Sequence, residues 1–420
     1  MSKKIDIDLI NLYLLYLFTF LIIFVVKKIL IGYSTYIYVY SGVIIGLWYI
    51  ISFRHYNFTV IKKNFKHIDF MLILLILTYC IYIIIDTIYI KPTAMIYTLT
   101  KVIPLIVIIP LIIQYKLDYK KIIIINTFIS RILYISMILA FIMYFFGYSN
   151  IYISRTGIKF ATLNQTAVFA DKSLQWLFWH KSRFATFCFL ALIYLFNISN
   201  IRILDKALLL IIIESNLYFS NSHTFLALSF VYIIYFLFKK FKNINKYLKV
   251  SLFIISLIII LVIFIKLIIP LITNGRNVGS LGNRTFIWRY SIELIKQNPF
   301  GNIILNRNSG FILQNRLYIN SAHNIFLNEF IESGFLGGIL YFLIVILLLK
   351  RILSNDKRIF FGVLLILLGG CFDIILFEAM NPIFWYTIAI FYSYNNYQKY
   401  NWIGRKIENV PISNSYYNLI

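Results

Sequence analysis

The chain has 420 residues, of which 61% are hydrophobic and only 13% charged, with a formal net charge of +25. A soluble fold cannot hide that much apolar surface, so lipid is the expected solvent for most of the chain. Long uninterrupted apolar runs exclude the alternating pattern of a membrane barrel, and the placement of the cations, taken up below, excludes nucleic acid as their purpose.

In chain order, the apolar runs read as transmembrane helices at 9–26, 29–53, 68–90, 95–113, 122–146, 184–199, 203–220, 223–238, 250–272, 334–349, 359–376 and 380–394. The first is expected to be a span and not a cleaved signal, because no small-residue cleavage site follows Val26. The seventh and eighth are short and meet at Ser220-Asn221-Ser222, so they could equally form one interrupted hairpin. Lys and Arg crowd the short segments 54–67, 114–121, 239–249 and 350–358. By the positive-inside rule these segments and both termini are cytoplasmic. Two longer segments on the opposite side, 147–183 and 273–333, carry cations that topology does not explain. The expected fold is therefore all-α: a polytopic transmembrane helix bundle of about 12 spans. It forms a single membrane domain over residues 1–420, and its long extracytoplasmic loop contains short helices.

The first extracytoplasmic loop holds Arg155, Lys159, Lys172, Lys181 and Arg183 against the single acid Asp171. Its Trp176, Trp179 and His180 suggest an amphipathic interfacial anchor. The main loop, 273–333, opens on the flexible stretch from Asn274 to Gly282. A helix should follow, capped by Asn283 and stopped by Asn298-Pro299-Phe300-Gly301. With about 100° per residue, Arg289, Glu293, Lys296 and Gln297 form its polar face, whereas Arg284 shares a side with Trp288, Ser291 and Ile295. An arginine on an inward stripe is costly unless it meets an anion, and its forked donors suit phosphate oxygens. Arg155 is a second candidate for that task, while Arg276, Arg289, Arg307 and Arg316 are less specific.

The stretch from Ser321 to Glu329 places His323, Asn324 and Asn328 where the polar loop runs into an apolar helix. An imidazole at such a threshold, near unpaired helix amides, can take a proton from a hydroxyl nucleophile at neutral pH. Gly334, Gly337 and Gly338 follow, and close helix packing explains them equally well. Within the spans, Lys101, Arg131, Glu214 and Asp373 remain, with Arg131 a possible partner of Glu214 or Asp373. Lys266, Asp86 and Glu378 lie close enough to span ends to snorkel. Cys80, Cys188 and Cys371 fall inside spans and suggest neither disulfides nor metal. Neither long loop contains a phosphate-binding glycine loop, a His-Glu-x-x-His, a Cys-x-x-Cys or an Asp-x-Asp pair. No metal or other cofactor is expected, so arginines must handle a charged donor.

Two segments resemble the family of O-antigen polymerases and ligases, polytopic membrane glycosyltransferases. One runs from Arg284-x-x-x-Trp288 to Asn298-Pro299-Phe300-Gly301, and the other from His323-Asn324-x-x-Leu327 to Glu332-x-Gly334-x-x-Gly337. The resemblance implies metal-independent joining of O-antigen or capsule repeat units carried on undecaprenyl pyrophosphate, at the outer face of a bacterial cytoplasmic membrane. It makes His323 the catalytic base or acceptor-positioning group and Arg284 the holder of the pyrophosphate. Arg289, Asn324 and Glu332 would join them in binding substrate. The family often has a second arginine after a serine where two mid-chain spans meet. This chain has Ser222-His223-Thr224 there, so either His223 or Arg155 takes that role. Expected partners are the lipid-linked oligosaccharide, membrane lipids and, as a candidate, a chain-length regulator, with no nucleic acid. The expected activity is polysaccharide polymerase. The alternatives are a ligase that moves finished glycan to lipid A core or protein, and a flippase of lipid-linked glycans.

Overall fold

A computed structural model describes residues 6–21, 36–53, 65–90, 92–147, 150–153, 158–161, 163–166, 169–176, 178, 180–198, 201–240, 284–301, 311–312, 318–319, 321–373, 375 and 381–394. The span expected at 250–272, the stretch Asn274–Gly282, the cap Asn283, Arg155, Trp179, Lys266, Glu378, Arg276, Arg307 and Arg316 lie outside those residues.

The described chain is predominantly helical. In order it forms α1 (Ile7–Leu21), α2 (Tyr36–Ser52), α3 (His67–Ile90), α4 (Met95–Leu117), α5 (Tyr119–Phe145), α6 (Lys181–Asn197), α7 (Ile203–Phe219), α8 (His223–Lys240), α9 (Arg284–Gln297), α10 (Ile325–Asn355), α11 (Lys357–Gly370) and α12 (Pro382–Ser393). Four of them, over 67–89, 97–117, 120–145 and 325–355, are long and apolar enough to cross a membrane. The remaining apolar helices coincide with other runs of the sequence, with ends that differ by several residues.

The segment 147–183, where the sequence suggests an amphipathic interfacial anchor, contains strands. It folds into two antiparallel hairpins, β1 (Asn150–Ile153) with β2 (Ile158–Ala161) and β3 (Leu163–Thr166) with β4 (Phe169–Leu174). Its alternation of apolar and polar residues has the period of a strand. Trp176 is buried and donates from Nε1 to the Ser136 hydroxyl at 2.9 Å, so it anchors the loop to α5 and not to lipid. A third short pair joins β5 (Phe311–Ile312) to β6 (Tyr318–Ile319).

The core is one continuous apolar cluster built from α1 to α8 and α10 to α12. Within it α10 packs on α3, α4 on α2, α3 and α12, and α8 on α11. Two groups of ionised side chains interrupt this core. Lys101 of α4 lies 3.0 Å from Glu329 and also meets Glu332, both on α10, with Tyr97 donating to Glu332 at 3.1 Å and Tyr79 to Glu329. Lys116 meets Asp69, which also accepts from Tyr392 and lies 3.9 Å from Arg351. Each group ties helices distant in sequence, and breaking such a buried pair costs about 3–5 kcal/mol.

The connections define two ends of the bundle. One end gathers the start of α6, the α7–α8 turn, the start of α10 and the end of α11. There Lys181 donates to the Asn221 carbonyl at 3.2 Å, and Asn324 donates to the Cys371 carbonyl at 3.2 Å. The other end gathers the close of α6 and α8 and the start of α7 and α11, where the Tyr232 hydroxyl accepts from the Asn197 carboxamide at 2.6 Å and donates to the Arg358 carbonyl at 3.4 Å.

Candidate functional site

Helix α9 lies across the first of these ends. As the sequence spacing predicts, Arg289, Glu293, Lys296 and Gln297 are exposed, while Ile287, Ser291 and Leu294 are buried. The buried face packs on Ala322 and Ile331. Asn298 stops the helix: its backbone N–H and its carboxamide both donate to the Leu294 carbonyl, at 2.9 and 3.4 Å. The chain then turns at Gly301, where φ is 88°.

This turn docks onto α10 at Gly334. Phe335 donates its backbone N–H to the Pro299 carbonyl at 2.7 Å. A Cβ added at Gly301 would stand 2.4 Å from the Gly334 nitrogen, and one added at Gly334 would stand 2.4 Å from the Phe300 carbonyl carbon. Gly334 has φ 68° and ψ −174°, which kinks α10. Only glycine takes such angles beside another backbone. The Asn-Pro-x-Gly stop and the Glu-x-Gly segment are thus two halves of one backbone contact.

The turn before α10 is equally constrained. Asn324 caps the helix, its Oδ1 accepting from Phe326 at 3.0 Å and Leu327 at 3.1 Å. Asn328 accepts from the Ala322 N–H at 2.7 Å and donates to the Ser321 hydroxyl at 2.9 Å, and that hydroxyl accepts from the His323 N–H at 3.1 Å. Between these bonds His323 is held at φ 49°, a left-handed conformation costly for a side chain of its kind. Trp288 of α9 donates from Nε1 to the Ala322 carbonyl at 3.0 Å, fastening the helix that bears Arg284 to the residue before His323.

The two candidate catalytic residues therefore converge, and the point of convergence is Asp373. Arg284 Nη2 lies 3.8 Å from Asp373 Oδ2, and His323 Nδ1 lies 3.6 Å from Oδ1. The Ser182 hydroxyl donates to Oδ2. His323 and Arg284 keep 28% and 20% of their side-chain surface open, against 10% for Asp373, so a ligand would reach the cations first. Asp373 lies in the turn beyond α11, which ends at Gly370, and not within a span as its apolar surroundings suggested. Burial alone would push its carboxyl up. The His323 imidazole, the charge of His180, the Ser182 hydroxyl and the Arg284 guanidinium outweigh that and hold it well below the usual carboxylate range.

His180 is the N-cap of α6, its Nδ1 accepting from the Ser182 N–H at 3.3 Å. Burial pushes its pKa down to about 4, and Arg183, His323 and Lys181 add to that against the opposing pull of Asp373. It is therefore neutral near pH 7. Among the described residues, this end of the bundle thus gathers Arg284 and His323 at the Asp373 carboxylate and Lys181 and Arg183 near His180, a field suited to an anion with more than one charge.

The other sequence candidates fall outside this convergence in different ways. Arg289 points from the exposed face of α9. Glu332 is buried and paired with Lys101, next to the docking turn. Asn324 spends its side chain on the cap and on Cys371. His223 opens α8 at the same rim, half-buried. Arg131 is exposed, Glu214 accepts from Ser229 at 2.8 Å, and Asp373 belongs to the site, so the pair suggested for Arg131 gives way to these partners. Sequence reasoning missed Ser182, and it named Asp373 only as a charge within a span and Arg183 only as a loop cation, assigning neither to the site. For Asp373 there was a signal: Gly369-Gly370 just before it reads as a helix stop.

Compared with known families, residues 207–342 match the model described as O-antigen ligase. That range spans α7 to the middle of α10 and includes His223, Arg284 and His323, while Ser182 and Asp373 lie outside it. No curated protein matches the chain.

Proposed function

From the premise that residues 207–342 form an O-antigen ligase family domain, we propose that the chain is a polysaccharide polymerase joining oligosaccharides carried on undecaprenyl pyrophosphate. The observation that carries this reading is the convergence of Arg284 and His323, from separate elements, on Asp373 at one end of the bundle.

The chemistry follows from the side chains. A sugar hydroxyl of the acceptor attacks the anomeric carbon of the donor; the new C–O bond forms as the bond to the lipid diphosphate breaks. His323 takes the hydroxyl proton on Nε2 while Asp373 faces Nδ1, the orientation by which a carboxylate steadies an imidazole base. Arg284 receives the growing charge of the diphosphate, with Arg183 and Lys181 nearby; electrostatic stabilisation of this kind needs no metal or other cofactor. A single displacement inverts the anomeric carbon. Arg155 or His223 supplies a further donor contact and Arg289 offers substrate the exposed face of α9, while Asn324 and Glu332 support the site through the α10 cap and the pair with Lys101. We place this end of the bundle on the outer face of a bacterial cytoplasmic membrane, in a twelve-span arrangement with both termini inside and the segments 147–183 and 273–333 outside.

The test is to assay polymer from purified lipid-linked repeat units. His323→Ala and Arg284→Ala should each lower the rate by about 100-fold or more. Arg284→Lys should also be poor, because a point charge does not replace a fork. Full-length polymer from both alanine variants would overturn the site. The description of the matched family favours one other reading, a ligase that transfers finished glycan to lipid A core or protein. A deletion strain that accumulates long chains on undecaprenyl pyrophosphate would select the ligase, and one that accumulates single units the polymerase.

A further inference from the structure

The opposite end of the bundle contains a cavity of about 510 Å³ between α6, α7, α8 and α11. Its walls include Phe196, Leu210, Phe236 and Leu237, and Lys206 and Arg358 line it as well. Ile203, also in the lining, is 79% exposed, so the cavity opens toward the surface that faces lipid. Tyr232 and Tyr235 donate to the carbonyls of Arg358 and Lys357 at 3.4 and 3.5 Å. Tyr232 is fully buried and Tyr235 half-buried, so the two hydroxyls pin the start of α11 beside the cavity.

We propose that this cavity binds an anionic phospholipid, its acyl chain along the apolar walls and its phosphate beside Lys206 and Arg358. The apolar walls argue against a soluble phosphate compound, which would leave them wet. The cations argue against a neutral lipid. Arg358 already grips Asp356, at 2.9 Å, and Asp205 is exposed next to Lys206, but Arg202 and Lys357 border the same end, so among the described residues there cations outnumber acids. A phosphate can share the outer edge of a guanidinium that a carboxylate holds from one side. None of this involves Arg284, His323 or Asp373, so the proposal stands apart from the catalytic reading.

The experiment is native mass spectrometry of the purified full-length protein, titrated with phosphatidylglycerol or with phosphatidylcholine of the same acyl chains. The wild type should retain phosphatidylglycerol in preference. Lys206→Ala should reduce that preference about five-fold, the equivalent of about 1 kcal/mol for one cation near an anionic headgroup. Leu210→Trp, which fills the cavity, should lower retention of both lipids. Lys296→Ala, on the exposed face of α9, should leave the preference unchanged. Melting temperatures in phosphatidylcholine nanodiscs identify any variant that fails to fold, and Lys206→Gln then replaces Lys206→Ala. Equal retention of the two lipids, a preference that survives both cavity substitutions, or displacement of the lipid by millimolar inorganic phosphate would each overturn the proposal.

Discussion

Asp373 stands among cations that would otherwise repel one another across a few ångströms. Its charge lets Arg284 and His323 share one small volume before any substrate arrives, and Ser182 fixes its direction. Asp373→Asn keeps the shape and removes the charge. The imidazole then loses its orienting anion, and the arginine loses the counter-charge that holds it near. The rate should fall between about 10- and 10,000-fold, the upper end being that seen when a carboxylate is neutralised behind a catalytic histidine. The measurement is polymer formation from lipid-linked units at equal amounts of membrane-inserted protein, and an unchanged rate would remove Asp373 from the mechanism. At this scale the sequence was only half readable. Arg284 stood out because an inward arginine demands an anion, but its acid lies in the turn beyond α11, and a single sequence does not tell which distant residues meet. Asn324 was visible as a polar residue at a helix threshold, and its work is capping.

The elements explain why two short motifs occur together. The turn that ends α9 and the kink of α10 touch backbone to backbone through Gly301 and Gly334, so neither glycine tolerates a side chain. Gly301→Ala and Gly334→Ala each combine a clash with a left-handed backbone, a cost of about 1–3 kcal/mol from the dihedral alone. Both should insert normally, lose polymerising activity, and show faster proteolysis of the α9 segment. Gly147 is the control: its φ is 70°, yet nothing lies within 4 Å of an added Cβ, so Gly147→Asn should behave as wild type. Wild-type proteolysis and activity in the Gly301 variant would refute the coupling. The helical spacing of Arg289, Glu293, Lys296 and Gln297, and the stop at Asn298, were open to view in the sequence because an amphipathic helix advertises its faces. The glycines pointed as readily to helix packing, since positive φ leaves no mark on composition. The hairpins of 147–174 escaped notice because their alternation is short and the tryptophans beside them drew the reading of an interfacial anchor.

For the whole molecule, apolar runs told the helices apart because lipid demands length and continuity, and those demands are written in order along the chain. Sidedness was argued from the cations of the short segments. It can be tested with Lys296→Cys at the site end and Arg202→Cys at the other, in a background lacking Cys80, Cys188 and Cys371. An impermeant maleimide applied to intact cells with a permeable outer envelope should label position 296 and not position 202. The reverse pattern would turn the site toward the cytoplasm and end the proposal of extracytoplasmic chemistry.

The convergence around Asp373 occupies the tips of the helices and not the middle of the bundle. On the polymerase reading proposed above, a growing glycan handled there would not be threaded through a tunnel, and product length would make no demand on the protein's interior. Whatever limits the size of the polymer must therefore act from beyond the reacting groups, by how long the chain's end is retained at that rim.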